Sequence, residues 1–314
     1  MISCSKDLPI DQSSDLMSQN SQIEVLRIKI DSINASYTNL NSSWQTRKPL
    51  VEYSKEYAFT SAADAVGGVL GSKIGSWAGA SVGVATSNPV IGALGYLAGR
   101  KLGSAAGAAV ASIATAWAID NWCKKTRATS RLVLNEEYTV TVGNPDNITD
   151  GELHNLILFR LLKDFDRYVS SSGELLYELL MKDAIALENE YCPTKDYTDE
   201  YISTWLPKAV EQTKRIVYSS PALLDDNTSR FLNNVYDQLI PEISMSKEEF
   251  NNANILNETT LSTYRSLDNI YILNYSKDID QVIDDSKFNS ELKEELKSSN
   301  SIILNSTLIW REVK

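Results

Sequence analysis

The chain has 314 residues, a formal net charge of −11, 43% hydrophobic residues, three cysteines and one histidine. An acidic balance repels a polyanion, so no nucleic-acid partner is expected. Cysteines without a CxxC pair give neither a disulfide scaffold nor a zinc ribbon, a lone His154 excludes a multi-histidine metal site, and no phosphate-binding glycine loop occurs. The reading therefore assigns no catalytic residue, no metal and no cofactor.

Position is more informative than composition. Eleven of the fourteen glycines lie between Gly67 and Gly107. Net charge divides as −1 over residues 1–57, +5 over 58–131 and −15 over 132–314. A neutral head, a weakly basic glycine-rich middle and an acidic body follow one another.

The N-terminus reads Met1-Ile2-Ser3-Cys4. Small or aliphatic residues leading to a cysteine are what a lipoprotein signal peptide leaves at its cleavage site, which makes Cys4 a candidate for lipidation. A basic and an apolar leader region would then lie upstream, outside this sequence. The polar, serine-rich residues 5–22 are expected to be a flexible tether. Ile23, Leu26, Ile30, Ile33 and Tyr37 follow helical spacing and predict an amphipathic helix over residues 21–41. Its apolar face is expected in a core, with lipid-surface association as the alternative.

The middle carries two registers. Gly67, Gly71, Gly75, Gly79 and Gly83 fall four apart; after Asn88-Pro89 the period resumes at Gly95, Gly99, Gly103 and Gly107, and Ala111 and Thr115 extend it. Four-residue spacing puts each set near one helix face, where missing side chains let a second helix approach closely. Asn88-Pro89 is a turn signal. The spacing thus predicts a helical hairpin, residues 60–86 and 90–119. Nine interior glycines cost about 9 kcal/mol against alanine in water, so close packing or membrane insertion must offset them. Asp64, Lys73, Arg100 and Lys101 interrupt the run, while Leu102 to Ile119 offers 18 charge-free residues with Trp117 and Trp122 at an interface position. Two readings stay open: a membrane-active hairpin, and a tight hairpin buried inside a helical protein.

Residues 123–131 form a basic linker suited to anionic lipid or to a lysine- or arginine-specific protease; Arg47, Arg127 and Arg131 are candidate processing sites. Leu132–Leu134 and Tyr138–Val142 predict a small β-hairpin. From residue 150 the pattern is helical. Asp150 is the expected cap of a helix whose stripe is Leu153, Leu156, Ile157, Phe159, Leu161, Leu162, Phe165 and Val169, with His154 as a rim or core residue. Further helices are expected over Glu174 to Tyr191, over Thr198 to Tyr218 with a kink at Pro207, around Phe231–Leu239, from Ser246 with Glu249 in a capping box, and over 279–311, where Ile302-Ile303-Leu304 is ambiguous. The acidic pairs Asp225-Asp226, Asp284-Asp285 and Glu294-Glu295 read as a solvated face.

The fold class is thus mainly α: a glycine-zipper helical hairpin on an acidic multi-helix domain, with at most a small β-hairpin. Four parts are expected: 1–57 a lipidated tether and amphipathic helix, 58–122 the hairpin, 123–149 the basic linker, 150–314 an acidic recognition or carrier domain. At the paired glycine ladders the chain resembles glycine-zipper proteins. With Met1-Ile2-Ser3-Cys4 it looks like a lipoprotein antibacterial toxin of the bacteriocin-like kind found in gut Bacteroidales. The resemblance covers about 60 residues plus the first four and leaves the acidic body unmatched. It implies a non-enzymatic protein of the outer membrane or secreted medium that permeabilises competing bacteria. Its implied partners are a bacterial membrane, a surface receptor on target cells, a cognate immunity protein and further copies of itself through the zipper. A non-enzymatic envelope lipoprotein, with the hairpin as anchor or oligomerisation element, is the alternative.

Overall fold

The computed structural model describes residues 12–43, 105–114, 117, 148–191 and 255–309. Among these the protein is mainly α, with one isolated antiparallel bridge (Val169 to Leu175) and no strand or sheet. The expected helices at 198–218, 231–239 and 246–249, the β-hairpin and most of the glycine hairpin lie outside the described residues.

Helix α1, Gln12–Ser43, buries Ile23, Leu26, Ile30 and Tyr37, with Ile33 packed partly against the same core. The helix starts well before residue 21, inside the stretch expected to be a tether. No proline or glycine follows Pro9 before Ser43, and once 23–37 is packed each added turn needs no new nucleus.

Helix α2, Asp150–Lys163, is capped by Thr149 rather than by Asp150. The Glu152 amide donates to Thr149 Oγ1 (3.3 Å) and the Thr149 amide donates to Glu152 Oε2 (2.8 Å), a closed capping box. Asp150 and Glu152 in the first turn, with Arg160 and Lys163 in the last, complement the helix dipole. A 3-10 turn over Phe165–Tyr168 and a reversing loop follow. Within that loop the Ser170 amide donates to the Glu174 carbonyl (2.8 Å) and Gly173 takes φ 79°, a value that suits a residue without Cβ. The bridge holds Leu175 extended, so helix α3 runs Tyr177–Tyr191 instead of beginning at Glu174.

Helices α4, Ile255–Ser266, and α5, Asn269–Asp284, are joined by Leu267 and Asp268; α6 spans Ser290–Ile309. The helical tail expected from 279 is therefore two helices, separated at residues 285–289. Asn289 accounts for the restart, since its Oδ1 accepts from the Leu292 amide at 2.8 Å. Ile302, Ile303 and Leu304 are helical within α6.

Two hydrophobic cores result. The first joins α1, α4, α5 and most of α6 around Leu26, Ile30, Tyr264, Tyr275 and Ile279. The second joins the helical segment 105–114 to α2, the 3-10 turn and α3, around Val110, Ile113, Leu153, Ile157 and Leu180. Helix α6 touches both, with Ile303 and Leu308 in the first and Ile309 in the second.

Candidate functional site

Of the nine zipper glycines only Gly107 falls among the described residues; Gly67, Gly71, Gly75, Gly79, Gly83, Gly95, Gly99 and Gly103 lie outside them, as do Cys4, Arg47, Arg127 and Arg131. Gly107 sits in segment 105–114, where every residue is buried. Six alanines (105, 106, 108, 109, 111 and 114), Val110, Ser112 and Ile113 are each no more than 1% exposed. A helix sealed on all faces belongs in a core or in lipid. Here it shares a core with Leu153, Leu156, Ile157, Leu161, Leu180 and Ala184, and Trp117 one turn on is packed partly against it. Among the described residues no helix is long and apolar enough to cross a membrane.

The holding surface is built locally. The stripe of α2 turns Leu153, Leu156, Ile157 and Leu161 into the core, and Phe159, Leu162 and Phe165 are only partly buried. Helix α3 contributes Tyr177, Leu180, Met181, Ala184 and Ile185. Beyond the core, Arg160 Nη2 donates to the Tyr191 hydroxyl at 2.9 Å, tying α2 to the end of α3. Asp183 accepts from Tyr168 at 2.9 Å and pairs with Arg167 at 3.1 Å; burial, reinforced by Asp183, pushes the Tyr168 phenol up to about 12.

His154 lies fully inside this α2 layer. Asn155 Oδ1 can only accept, so the contact of 2.8 Å has His154 Nδ1–H as donor and fixes the neutral tautomer. Desolvation pushes the imidazole down to about 4, outweighing the Asn155 hydrogen bond that acts the other way. His154 is thus a sealed, uncharged core group at neutral pH.

The α2–α6 crossing was not anticipated from the sequence. Gly151 meets Ser301 there: an added Cβ would collide with the Ser301 carbonyl and lie 2.5 Å from Asn305 Nδ2. The Gly151 amide donates to Ser301 Oγ (3.1 Å), and Asn155 Nδ2 donates to the Asn305 carbonyl (3.1 Å). Asn305 Nδ2 in turn donates to the Ser301 carbonyl (2.9 Å). Small or polar residues four apart on each helix, 151 and 155 against 301 and 305, thus make this close approach a hydrogen-bonded one. The available signal was a glycine in the first turn of a capped helix with asparagine at i+4; a count of ladder glycines passes over it.

The first core carries a second polar array. Tyr264 donates to Asn300 Oδ1 (2.5 Å), while Asn300 Nδ2 reaches the Ser276 carbonyl (3.0 Å) and Asp280 Oδ1 (2.9 Å). Tyr275 donates to Asn34 Oδ1 (2.5 Å), Asn34 Nδ2 donates to the Thr259 carbonyl (2.8 Å), and Tyr37 donates to Asp278 Oδ2 (2.6 Å). Tyr37, Tyr275 and Tyr264 stack edge to face at 5.2 and 4.8 Å. Burial raises the Asp280 carboxyl above its usual range, opposed by Asn300 and Lys297. Outside the core, Lys297 binds Asp284 at 2.8 Å, so that member of an acidic pair serves a surface ion pair. No group of side chains suited to a metal ion occurs among the described residues.

No protein-family model, curated protein or solved structure matches this chain.

Proposed function

We propose that the chain is a non-enzymatic antibacterial toxin whose glycine-zipper hairpin inserts into a bacterial envelope and permeabilises it. The observation that carries this reading is the pair of four-residue glycine registers, Gly67–Gly83 and Gly95–Gly107, flanking one turn signal. Two helices with bare faces can pack backbone to backbone in lipid, where van der Waals contact replaces the hydrophobic effect. Burial of 105–114 on every face supports it, because a bilayer is the other environment that suits such a helix. In this reading Cys4 is lipidated at the outer membrane, or the protein is secreted. The acidic body carries the hairpin and recognises a surface receptor, copies associate through the zipper, an immunity protein protects the producer, and cleavage near Arg47 or Arg127–Arg131 releases the hairpin.

The test is dye release from liposomes by the full-length protein. Wild type is expected to release dye, and the double variant Gly75→Leu, Gly99→Leu to lose it. Undiminished leakage from that variant would reject the zipper mechanism.

A second reading, an envelope lipoprotein with the hairpin as a permanent anchor or oligomerisation element, draws on the same burial of 105–114: a fixed structural helix is held in this way. Growth inhibition of related strains separates the two, since only the toxin kills.

A further inference from the structure

The geometry points to an autoinhibitory contact: α2 and α3 hold segment 105–114 in a releasable slot, which must open before the second zipper arm can enter a membrane. This rests on the toxin reading and adds its regulation.

Three features of the contact favour release. The segment fills its side of the core mostly with methyl groups, Val110 and Ile113 being its only larger side chains. An alanine removes far less apolar surface from water than a leucine, so the segment's own side chains contribute the smaller part of the apolar burial and the α2 and α3 residues facing it the larger. Its exit therefore forfeits less than the exit of a leucine-rich helix of the same length. Second, a bilayer keeps the same methyl groups out of water, so transfer conserves the segment's own share of the burial and uncovers only the residues of α2 and α3 that faced it. Third, the slot is built by neighbours in sequence. Residues 148–191 supply α2, the 3-10 turn and α3, which remain tied to each other through Arg160 and Tyr191 when the segment leaves. Among the described hydrophobic residues, Ile309 is the one that α6 adds to the cluster around the slot. The tyrosine and asparagine array belongs to the other cluster.

A matched pair of conservative variants tests this in the full-length protein. Ile157 and Ile279 are both fully buried, one in each core. Ile157→Val is expected to speed amide hydrogen exchange across 105–114 by about fivefold and to shorten the lag of liposome leakage in proportion; Ile279→Val leaves both unchanged. Leu180→Ala, a larger loss in the slot, is expected to speed that exchange by at least about thirtyfold. Equal acceleration by the two valine variants would overturn the proposal, because opening would then be global unfolding. Unchanged exchange across 105–114 in both Ile157→Val and Leu180→Ala would overturn it too. Faster exchange without dye release from wild type or any variant would instead reject the membrane reading, leaving a holder with nothing to release into lipid.

Discussion

The two cores solve the same packing problem with opposite materials. In the first, α1, α4, α5 and α6 interlock through large side chains, and polar tips of tyrosine, asparagine and aspartate are matched inside it. In the second, a helix mostly of alanine lies against leucines and isoleucines of α2 and α3, and α2 also carries the fully buried His154. Large interdigitated groups with directional bonds specify one arrangement and resist its loss. Small groups on one side of a contact allow close approach but hold it less firmly. The difference assigns the first core the role of frame and the second the role of holder.

The contrast is most exposed at the seam between them. Gly151→Ala forces a Cβ against the Ser301 carbonyl, where backbone must give way, and is expected to cost about 3 kcal/mol or more in urea denaturation. Because α6 belongs to both cores, this loss should appear in exchange of α2 and α6 together. Loss confined to α2 would show that the cores are independent.

Acid should act on the second core by a comparable amount. His154 is held near 4 against an ordinary 6.5, so the unfolded chain binds more protons between those values. Stability is complete above pH 6.5 and falls as pH drops toward 4, by about 3 kcal/mol in all from this group. Denaturation midpoints measured from pH 7 to 4 check it: His154→Leu should remove that part of the slope. A profile identical to wild type would show that the imidazole is not sealed.

In the first core, Tyr264→Phe removes the donor to Asn300 Oδ1 and is expected to cost about 2 kcal/mol, with exchange rising in α4 and α6 but not across 105–114. At the edge of the second core, Thr149→Ala opens the capping box at a cost of about 1 kcal/mol, read as faster exchange in the first turn of α2. If these two variants loosened the same amides, the division into frame and holder would fail.

Much of both cores could be read from residue spacing. The helical period of Ile23, Leu26, Ile30, Ile33 and Tyr37 identified the packed face of α1, and Leu153, Leu156, Ile157 and Leu161 identified that of α2. Periodicity reports which side is apolar because burial repeats with the helix. Boundaries were less legible: Thr149 took the cap from Asp150, and Leu175 delayed α3 through a bridge to Val169. In both places side-chain and backbone bonding over a few residues chose among several plausible caps. Of the candidate site, only Gly107 and His154 fall where the structure describes them; the one ladder glycine among them is enclosed in a core.

By itself the sequence determined the mainly helical class, the two glycine registers and the apolar faces, since each follows from local spacing and propensity. Tertiary structure decided that segment 105–114 lies against α2 and α3, that α1 joins α4 and α5 more than 200 residues away through Asn34 and Tyr37, and that Gly151 sits against the Ser301 backbone where α2 crosses α6. An apolar face states that it needs a partner without naming one. Only the three-dimensional fit of small side chains against large ones made that choice.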